Sequence, residues 1–277
     1  MAERYWPTKS LKKYQREFNS LNDSSNQIEV EGHQPLIGLA FDWKIVGRKP
    51  DGSNKYAYSG FQSNLYISFV KSAGGKPYII GPEDSLESYR EILDGLIICG
   101  GRDINPAKYN EQIAGSIVPI ESEMRWQKMA QAYHGLPPAC PILGICWGMQ
   151  FINVIQGGTL IQHIHDSHSH NCKRKIKFKS GSWMHQELGL TMKGLCLHHQ
   201  IIGRIGRNID VVAVDDHSKD AHAIEVKEPG RFIIATQFHP ESTFKDETFL
   251  KMEGSSELLA FKFMEKCSEF KQARISN

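Results

Sequence analysis

The alternation of short apolar runs with helix-length segments is the feature of this sequence that most limits its fold. From Gln34 onward, apolar runs at 36–41, 78–80, 96–99 and 141–145 are separated by segments with helical spacing of apolar residues. Short apolar runs bounded by turn residues are typical of buried parallel strands. Strands that alternate with helices predict an α/β fold, a doubly wound, mainly parallel sheet flanked by helices.

Local patterns refine this expectation. The polar, glycine-containing segment 51–60 is predicted to be a loop, and a helix carrying Leu86, Tyr89 and Leu93 is predicted after Asp84. The second half is richer in strands, which we predict at 209–214, 221–226 and 232–238, before a last helix near 257–270.

The first part of the chain differs from the rest. Apolar residues recur at helical spacing between Leu11 and Leu21, and a polar stretch at 22–26 follows them. We therefore expect an N-terminal helical extension and linker over residues 1–32 and a catalytic domain over residues 33–277. Such a short apolar stripe more often docks on its own domain or on a second subunit than on a membrane, which leaves a homodimer open.

The composition excludes several classes of protein. Lys and Arg number 33 against 31 acidic residues among 277, so the net charge of +2 gives no electrostatic reason to bind nucleic acid. Apolar runs are too short for a membrane span, and the first residues lack the apolar core of a secretory signal. Six scattered cysteines without a Cys-x-x-Cys pair predict reduced thiols and a cytoplasmic location.

The most informative motif is Gly144-Ile145-Cys146-Trp147-Gly148, which an apolar strand precedes and a helix follows. This is the cysteine counterpart of a nucleophile elbow, where a tight strand-to-helix turn presents the nucleophile above the sheet. The positive end of the helix favours the thiolate, and the Trp147 amide can donate to an oxyanion. Taken alone, the motif fits a buried cysteine in a tight connection about equally well.

A histidine and a carboxylate follow a later strand. The strand predicted at 232–238 ends in His239-Pro240-Glu241. His239 can reach over the sheet edge toward Cys146, and Glu241 can orient its ring. A histidine near a glutamate is more often structural, but together with the elbow it favours catalysis.

Gly100 and Gly101 end the third predicted strand and offer backbone amides without side chains. A strand-terminating turn would also explain them. An elbow enzyme needs a second oxyanion donor from a neighbouring loop, so we predict that one of these amides supplies it.

These segments together resemble the class I glutamine amidotransferase superfamily, and within it the γ-glutamyl-γ-aminobutyrate hydrolase-like branch. The matches follow the family's order within roughly residues 34–265: 100–106, 144–150, Asn153, 157–160, 198–200 and 237–241. The resemblance implies the flavodoxin-like fold of that family and hydrolysis of a small γ-glutamyl amide through a thioester on Cys146. It implies no cofactor and no metal.

The resemblance also implies roles for further residues. The Gly101 and Trp147 amides would stabilise the oxyanion. Residues expected to line the γ-glutamyl pocket are Gln150, His198, His199 and Gln200.

Three departures from the branch concern the leaving amine. Trp147 stands where the branch often has Arg, so we expect its indole to border the leaving group and to favour an amine larger than ammonia. Gly194-Leu195-Cys196 stands in place of Val-Asn-Ser. An Arg-Asp pair with a later Glu is replaced by Glu123, Met124 and Gln127.

Two other functions and one metal site stay open at this point. The chain could be a glutaminase subunit that supplies ammonia to a separate synthetase, or a catalytically inactive binding protein on the same fold, although the complete Cys-His-Glu set argues against inactivity. Alternating histidines can bind zinc. The tract His163, His165, His168 and His170 lacks regularly spaced further ligands, so we predict no metal there.

Overall fold

The structure is a computed structural model that describes residues 34–58, 60–164, 172–245 and 254–276. The predicted helical extension and linker over residues 1–32 lie outside these ranges, as do His165, His168 and His170. Within the described ranges, no helix combines the length and the apolar character that a membrane crossing needs.

The described residues form thirteen strands and five α-helices. The strands are β1 Leu36–Ala40, β2 Trp43–Arg48, β3 Asn54–Tyr58, β4 Lys76–Ile79, β5 Gly95–Ile98, β6 Ile142–Ile145, β7 Leu160–Ile161, β8 Cys172–Phe178, β9 Thr191–Cys196, β10 Ile201–Ile202, β11 Ile209–Asp215, β12 Ala221–Val226 and β13 Ile233–Thr236. The helices are α1 Gly60–Ser72, α2 Ser122–Gly135, α3 Trp147–Ile155, α4 Trp183–Leu188 and α5 Gly254–Ser276.

A nine-stranded sheet in the order β4-β1-β5-β6-β13-β12-β11-β8-β9 forms the centre of the fold. The strands from β4 to β13 pair in parallel, and those from β13 to β9 pair antiparallel. Leu143 of β6 lies between Ile97 of β5 and Ile234 of β13. The predicted class, a sheet flanked by helices, is confirmed, and the strand-rich second half of the sequence builds the antiparallel extension.

The sequence predicted a loop over residues 51–60, but part of this segment is a strand. Its residues Asn54–Tyr58 form β3, which pairs antiparallel with β2 in a hairpin. The turn is held by Asp51, whose carboxylate accepts hydrogen bonds from the backbone and the hydroxyl of Ser53. The aromatic ring of Tyr58 packs edge-on against Phe41. This contact anchors β3, a strand that its polar composition did not predict.

The helix predicted after Asp84 is only a short 3-10 turn at Leu86–Ser88. Tyr89 and Leu93 are nevertheless fully buried. Their helix-like spacing therefore reflects the burial of an irregular segment against the sheet, and periodicity alone does not distinguish the two cases.

Alternate residues of the central strands supply two cores, one on each face of the sheet. Ile97 of β5 packs in the core that contains Phe263 of α5, whereas Leu96 and Ile98 pack in the core that contains Met129 of α2. Successive side chains of a strand point to opposite faces, so helices on both faces are needed to cover them. The carboxyl ends of the parallel strands meet at one edge, where ligand sites of such sheets lie.

Candidate active site

Cys146 occupies the sharp turn between β6 and α3. Its backbone has φ 54° and ψ −102°, a conformation that costs a non-glycine residue on the order of 1–3 kcal/mol. Its N–H donates a 2.7 Å hydrogen bond to the carbonyl oxygen of Thr236 at the end of β13. The strained turn and its anchor hold the thiol at the carboxyl edge of the sheet, as the elbow motif predicts.

The two glycines of the motif are required by close packing. A Cβ atom at Gly148 would overlap the carbonyl oxygen of Ile98, and one at Gly144 would stand 2.8 Å from the Gly148 carbonyl group. Neither position leaves space for a side chain, which agrees with the reason inferred from the sequence.

His239 and Glu241 are paired immediately after β13. Nδ1 of His239 lies 2.6 Å from Oε1 of Glu241, and both side chains are buried. A carboxylate accepts, so Nδ1 carries the proton and Nε2 is the atom left to face the thiol. The backbone N–H of His239 donates to the carbonyl oxygen of Leu195 at 2.8 Å, which fixes the segment against β9.

The surroundings of His239 favour its protonated form. Burial opposes the charge, but the negative charge of Glu241 and then that of the Cys146 sulfur outweigh it and hold the pKa of His239 well above its usual value. Nε2 has no hydrogen-bond partner of normal geometry among the described residues. The Cys146 sulfur is nevertheless near enough to raise the pKa of the ring, so the arrangement suits an imidazolium–thiolate pair.

Gly100 lies against both of these residues. A Cβ atom built there would stand 3.0 Å from Cε1 of His239 and 3.5 Å from Cβ of Cys146. The Gly100 N–H donates a 2.9 Å hydrogen bond to the hydroxyl of Tyr66, whereas the Gly101 N–H has no partner among the described residues. Of the two predicted oxyanion donors, Gly101 therefore has the unengaged amide.

Arg125 of α2 lies beneath this edge and was not recognised in the sequence. Its guanidinium is buried, donates through Nη2 to the carbonyl oxygens of Cys99 (2.8 Å) and Gly100 (3.3 Å), and stands 3.7 Å from the ring centre of Trp147. Trp147 also stacks on Phe151. The expectation that the Trp147 indole borders the leaving group is wrong, because this ring is enclosed between an arginine and a phenylalanine.

The three residues noted on this helix as departures from the branch lie at the surface. Glu123 is exposed and pairs with Lys108 at 2.7 Å, and Met124 and Gln127 are exposed as well. Arg125, between them in sequence, is the residue of this helix that reaches the site, because it falls on the buried face of α2.

Asp42 joins a set of charged residues at the same edge. It accepts two hydrogen bonds from the guanidinium of Arg102, at 2.8 and 3.0 Å, and lies 3.7 Å from Arg125. Arg102 also pairs with the buried Glu121 at 3.1 Å. Burial opposes ionisation, but the charges of Arg125 and Arg102 lower the pKa of Asp42 below its usual value. These contacts fix the loop that carries Gly100 and Gly101.

Gln150, Gln200 and Gln237 connect the elbow to the 198–200 segment. Nε2 of Gln150 donates to the carbonyl oxygen of Gln200 at 3.1 Å and to Oε1 of Gln237 at 3.4 Å. Nε2 of Gln237 in turn lies 3.6 Å from the Cys146 sulfur. Oε1 of Gln200 is buried without a partner among the described residues. Gln237 contacts the thiol directly, although neither the predicted strand nor the family match at 237–241 gave it a role.

The two histidines of this segment point in different directions. His199 bonds through Nε2 to Asp103 at 3.0 Å and through Nδ1 to His163 at 3.1 Å. His198 instead bonds through Nδ1 to the carbonyl oxygen of Gln200 at 3.0 Å. Their hydrogen-bond partners therefore differ, and their place in the glutamyl pocket stays a prediction.

A structure described as that of a "putative gmp synthase subunit a protein" from Thermoplasma acidophilum superposes on this fold. The TM-score is 0.62 at 18% identity, over 88% of this chain and all of that one. At this identity the likeness supports the fold alone.

Two relatives have more similar sequences. The protein named "Putative glutamine amidotransferase Rv2859c" of Mycobacterium tuberculosis is 31% identical over 208 residues, which are 70% of this chain and 66% of that protein. The chain thus spans just under two thirds of that relative. "Putative glutamine amidotransferase-like protein YvdE" of Lactococcus lactis is 31% identical over 234 residues, 78% of this chain and 94% of that one.

The family described as Peptidase C26 matches residues 35–241. This range starts one residue before β1 and ends at Glu241, so it contains the elbow, the paired His239 and Glu241, and the loop of Gly100 and Gly101. The chain belongs to the Peptidase C26 family, of the class I glutamine amidotransferase-like type.

Proposed function

We propose that this protein is a cysteine hydrolase that cleaves the γ-glutamyl amide bond of a small γ-glutamyl amine and releases glutamate. The observation that carries the proposal is the strained Cys146 beside a buried His239 that is held by Glu241 at 2.6 Å. Family membership supports a hydrolase acting on carbon–nitrogen bonds. Six free thiols support a cytoplasmic location as part of the same proposal.

The first half of the reaction forms a thioester. The Cys146 thiolate attacks the γ-carbonyl carbon, and the carbonyl oxygen takes up the negative charge. The Gly101 amide and the Trp147 amide, the first of α3 and without a partner inside the helix, donate to that oxygen. Protonated His239 gives its proton to the amine nitrogen as the C–N bond breaks.

The second half releases glutamate. His239, now neutral, takes a proton from water as the water oxygen attacks the thioester carbon. The C–S bond breaks, glutamate leaves, and the Cys146 thiolate is restored beside the protonated His239. Throughout, Glu241 keeps Nδ1 protonated and the ring oriented.

The site contains side-chain amide groups that can bind the glutamyl part of the substrate. Gln150 and Gln200 lie in a hydrogen-bonded connection that reaches the thiol through Gln237. The buried Oε1 of Gln200 is an acceptor that suits the α-ammonium group of glutamate. His199, paired with Asp103, lies at the edge of the same segment.

A panel of γ-glutamyl amides tests the proposal. Purified protein is incubated with glutamine and with γ-glutamyl amides of aliphatic, aromatic and acidic amines, and glutamate release is measured. We expect a larger specificity constant for at least one amine conjugate than for glutamine, and no release by Cys146→Ser. Release that is unaffected by Cys146→Ser, or no release from any amide, would contradict the proposal.

A second candidate is a glutaminase subunit that supplies ammonia to a synthetase. The names of the two sequence relatives favour it, since both contain "glutamine amidotransferase". In this case glutamine would be the best substrate of the panel, and its hydrolysis would accelerate when a synthetase that accepts ammonia is added. A glutamine rate that is low and independent of such a partner would exclude it.

A further inference from the structure

A second cysteine–histidine group lies on the antiparallel half of the sheet. Cys196 is the last residue of β9, His198 follows two residues later, and His222 is the second residue of β12. One ligand atom from each lies within 4.8 Å of the other two. The Cys196 sulfur is 3.8 Å from Nδ1 of His222, close to the spacing of about 3.5 Å between two tetrahedral ligands of one zinc ion.

Both histidines are suited to bind a metal ion through a lone pair. Nδ1 of His198 faces the carbonyl oxygen of Gln200, which can only accept, so Nδ1 carries the proton and Nε2 has the lone pair. This carbonyl–histidine arrangement is the usual outer shell of a metal ligand. Nδ1 of His222 lies 3.8 Å from the Cys196 sulfur, so this nitrogen and that sulfur can face the same ion.

The residue that can supply a fourth ligand lies opposite Cys196 in the sheet. Cys172 of β8 pairs directly with Cys196 of β9. Cβ atoms of directly opposed residues lie about 4.5–5.5 Å apart on the same face of a sheet. Cys172 is therefore the residue that we assign as the fourth ligand, reached by a change of its side-chain rotamer.

We propose that Cys172, Cys196, His198 and His222 bind one divalent ion of the Zn²⁺ class in a closed, tetrahedral site. Two thiolates and two imidazoles are the donor set that selects zinc over magnesium or calcium. The ion displaces the thiol protons when it binds. This set is separate from the tract of His163, for which the sequence predicts no metal.

The proposed site adjoins the strand that carries the active site. The backbone N–H of Gln237 donates to the carbonyl oxygen of His222 at 2.9 Å, and that of His239 donates to Leu195, next to Cys196, at 2.8 Å. A closed four-ligand site is structural in character. The ion would therefore fasten β8, β9 and β12 behind the segment from Gln237 to His239, and His198 would serve the ion and not the glutamyl pocket.

Cobalt absorption tests the site without reference to enzymatic activity. Reduced protein is freed of metal with a chelator, titrated with Co²⁺, and then with Zn²⁺. We expect one equivalent of Co²⁺ to give tetrahedral visible bands and a thiolate-to-metal charge-transfer band, all displaced by Zn²⁺. The melting temperature should rise with Zn²⁺, because the ion binds the folded state.

Variants separate this site from the active-site cysteine. Cys196→Ser and His222→Gln should weaken binding by more than about 100-fold, since even outer-shell changes cost about 10–100-fold. Cys146→Ser, and Cys140→Ser as a buried control, should keep the bands. If Cys196→Ser fails to fold, His222→Gln and Cys172→Ala carry the test. Absence of the charge-transfer band in the unmodified protein, or its loss in Cys146→Ser but not in His222→Gln, would overturn the proposal.

Discussion

Two buried cysteine–histidine groups lie on the same sheet, and they have opposite electrostatics. His239, beside Cys146, and His222, beside Cys196, are each only 3% exposed. The pKa of His239 is held well above its usual value, whereas burial lowers that of His222 to about 4. Equal burial thus gives a charged ring in one place and a neutral ring in the other.

The difference comes from Glu241 and, after it, from the charge of the Cys146 sulfur, which together raise the pKa of His239. Glu241 is hydrogen-bonded to His239 at 2.6 Å. Asp215 and Asp220 also favour the charged form of His222, but Arg174 opposes it, and together they do not offset desolvation. The bonded carboxylate and the neighbouring sulfur thus separate the charged ring of His239 from the neutral ring of His222.

The largest expected effect is the loss of the proton-transfer histidine. His239→Ala should lower kcat/KM for γ-glutamyl amide hydrolysis by about 100- to 10,000-fold, because general acid–base catalysis contributes that range. His134→Gln, a change at an exposed histidine, is the control and should remain near wild type. An active His239→Ala enzyme would require a different base and would remove the contrast between the two groups.

Removing the Glu241 carboxylate should lower the pKa of His239 toward that of a buried histidine without a bonded carboxylate, such as His222. Glu241→Gln should lose less activity than His239→Ala, since the carboxylate orients and stabilises the ring without moving the proton itself. The raised pKa keeps His239 protonated to high pH, so its decrease in Glu241→Gln should shift the alkaline limb of the kcat/KM profile to lower pH. An unshifted limb would mean that another group sets the charge of His239.

The neutral His222 should make stability depend on pH in the acidic range. Its folded pKa of about 4 lies below the unfolded value of about 6.5, so the unfolded state binds more protons between these values. Stability should therefore fall as pH decreases from about 6.5 toward 4, by up to about 3 kcal/mol from this group. In metal-free protein, urea unfolding of His222→Gln should show a flatter pH dependence over this window than the unmodified protein. Equal slopes would contradict the neutral assignment.

Thiol reactivity should give the smallest contrast. Burial raises the pKa values of Cys99, Cys140, Cys196 and Cys267, whereas Cys146 faces a protonated histidine. Limiting iodoacetamide, followed by peptide mass mapping, should label Cys146 first, and activity should fall in proportion. The half-buried Cys172 should follow next. Preferential labelling of another cysteine with activity retained would refute the assignment of Cys146.

Local sequence patterns predicted those parts of the fold that follow from backbone geometry. The elbow at Cys146 and the strand before His239 were recognisable because glycines and apolar runs mark a strand-to-helix turn and a buried strand. Residues 54–58 were missed, because their strand pairs only within a polar hairpin. The helix predicted over Leu86 to Leu93 was wrong, because the buried residues of this irregular segment happen to have helical spacing.

The contacts around the thiol depend on tertiary structure and left no comparable pattern. Asp42, Tyr66 and Arg125 come from three separate segments, and each is buried at the site through partners far away in sequence. Cys196 of β9 and His222 of β12 likewise meet in space although β11 and β8 lie between their strands in the sheet order. Such residues become visible as site components once the sheet order is known.

If Cys146 is the nucleophile, it carries a glutamyl thioester during turnover, and this intermediate can be trapped. The protein is mixed with an excess of a γ-glutamyl amide that it hydrolyses. The mixture is quenched in acid and analysed by intact and peptide mass spectrometry. We expect one added glutamyl group, located on the peptide that contains Cys146 and absent from Cys146→Ser. A glutamyl group on another cysteine, or turnover that continues in Cys146→Ser, would contradict it.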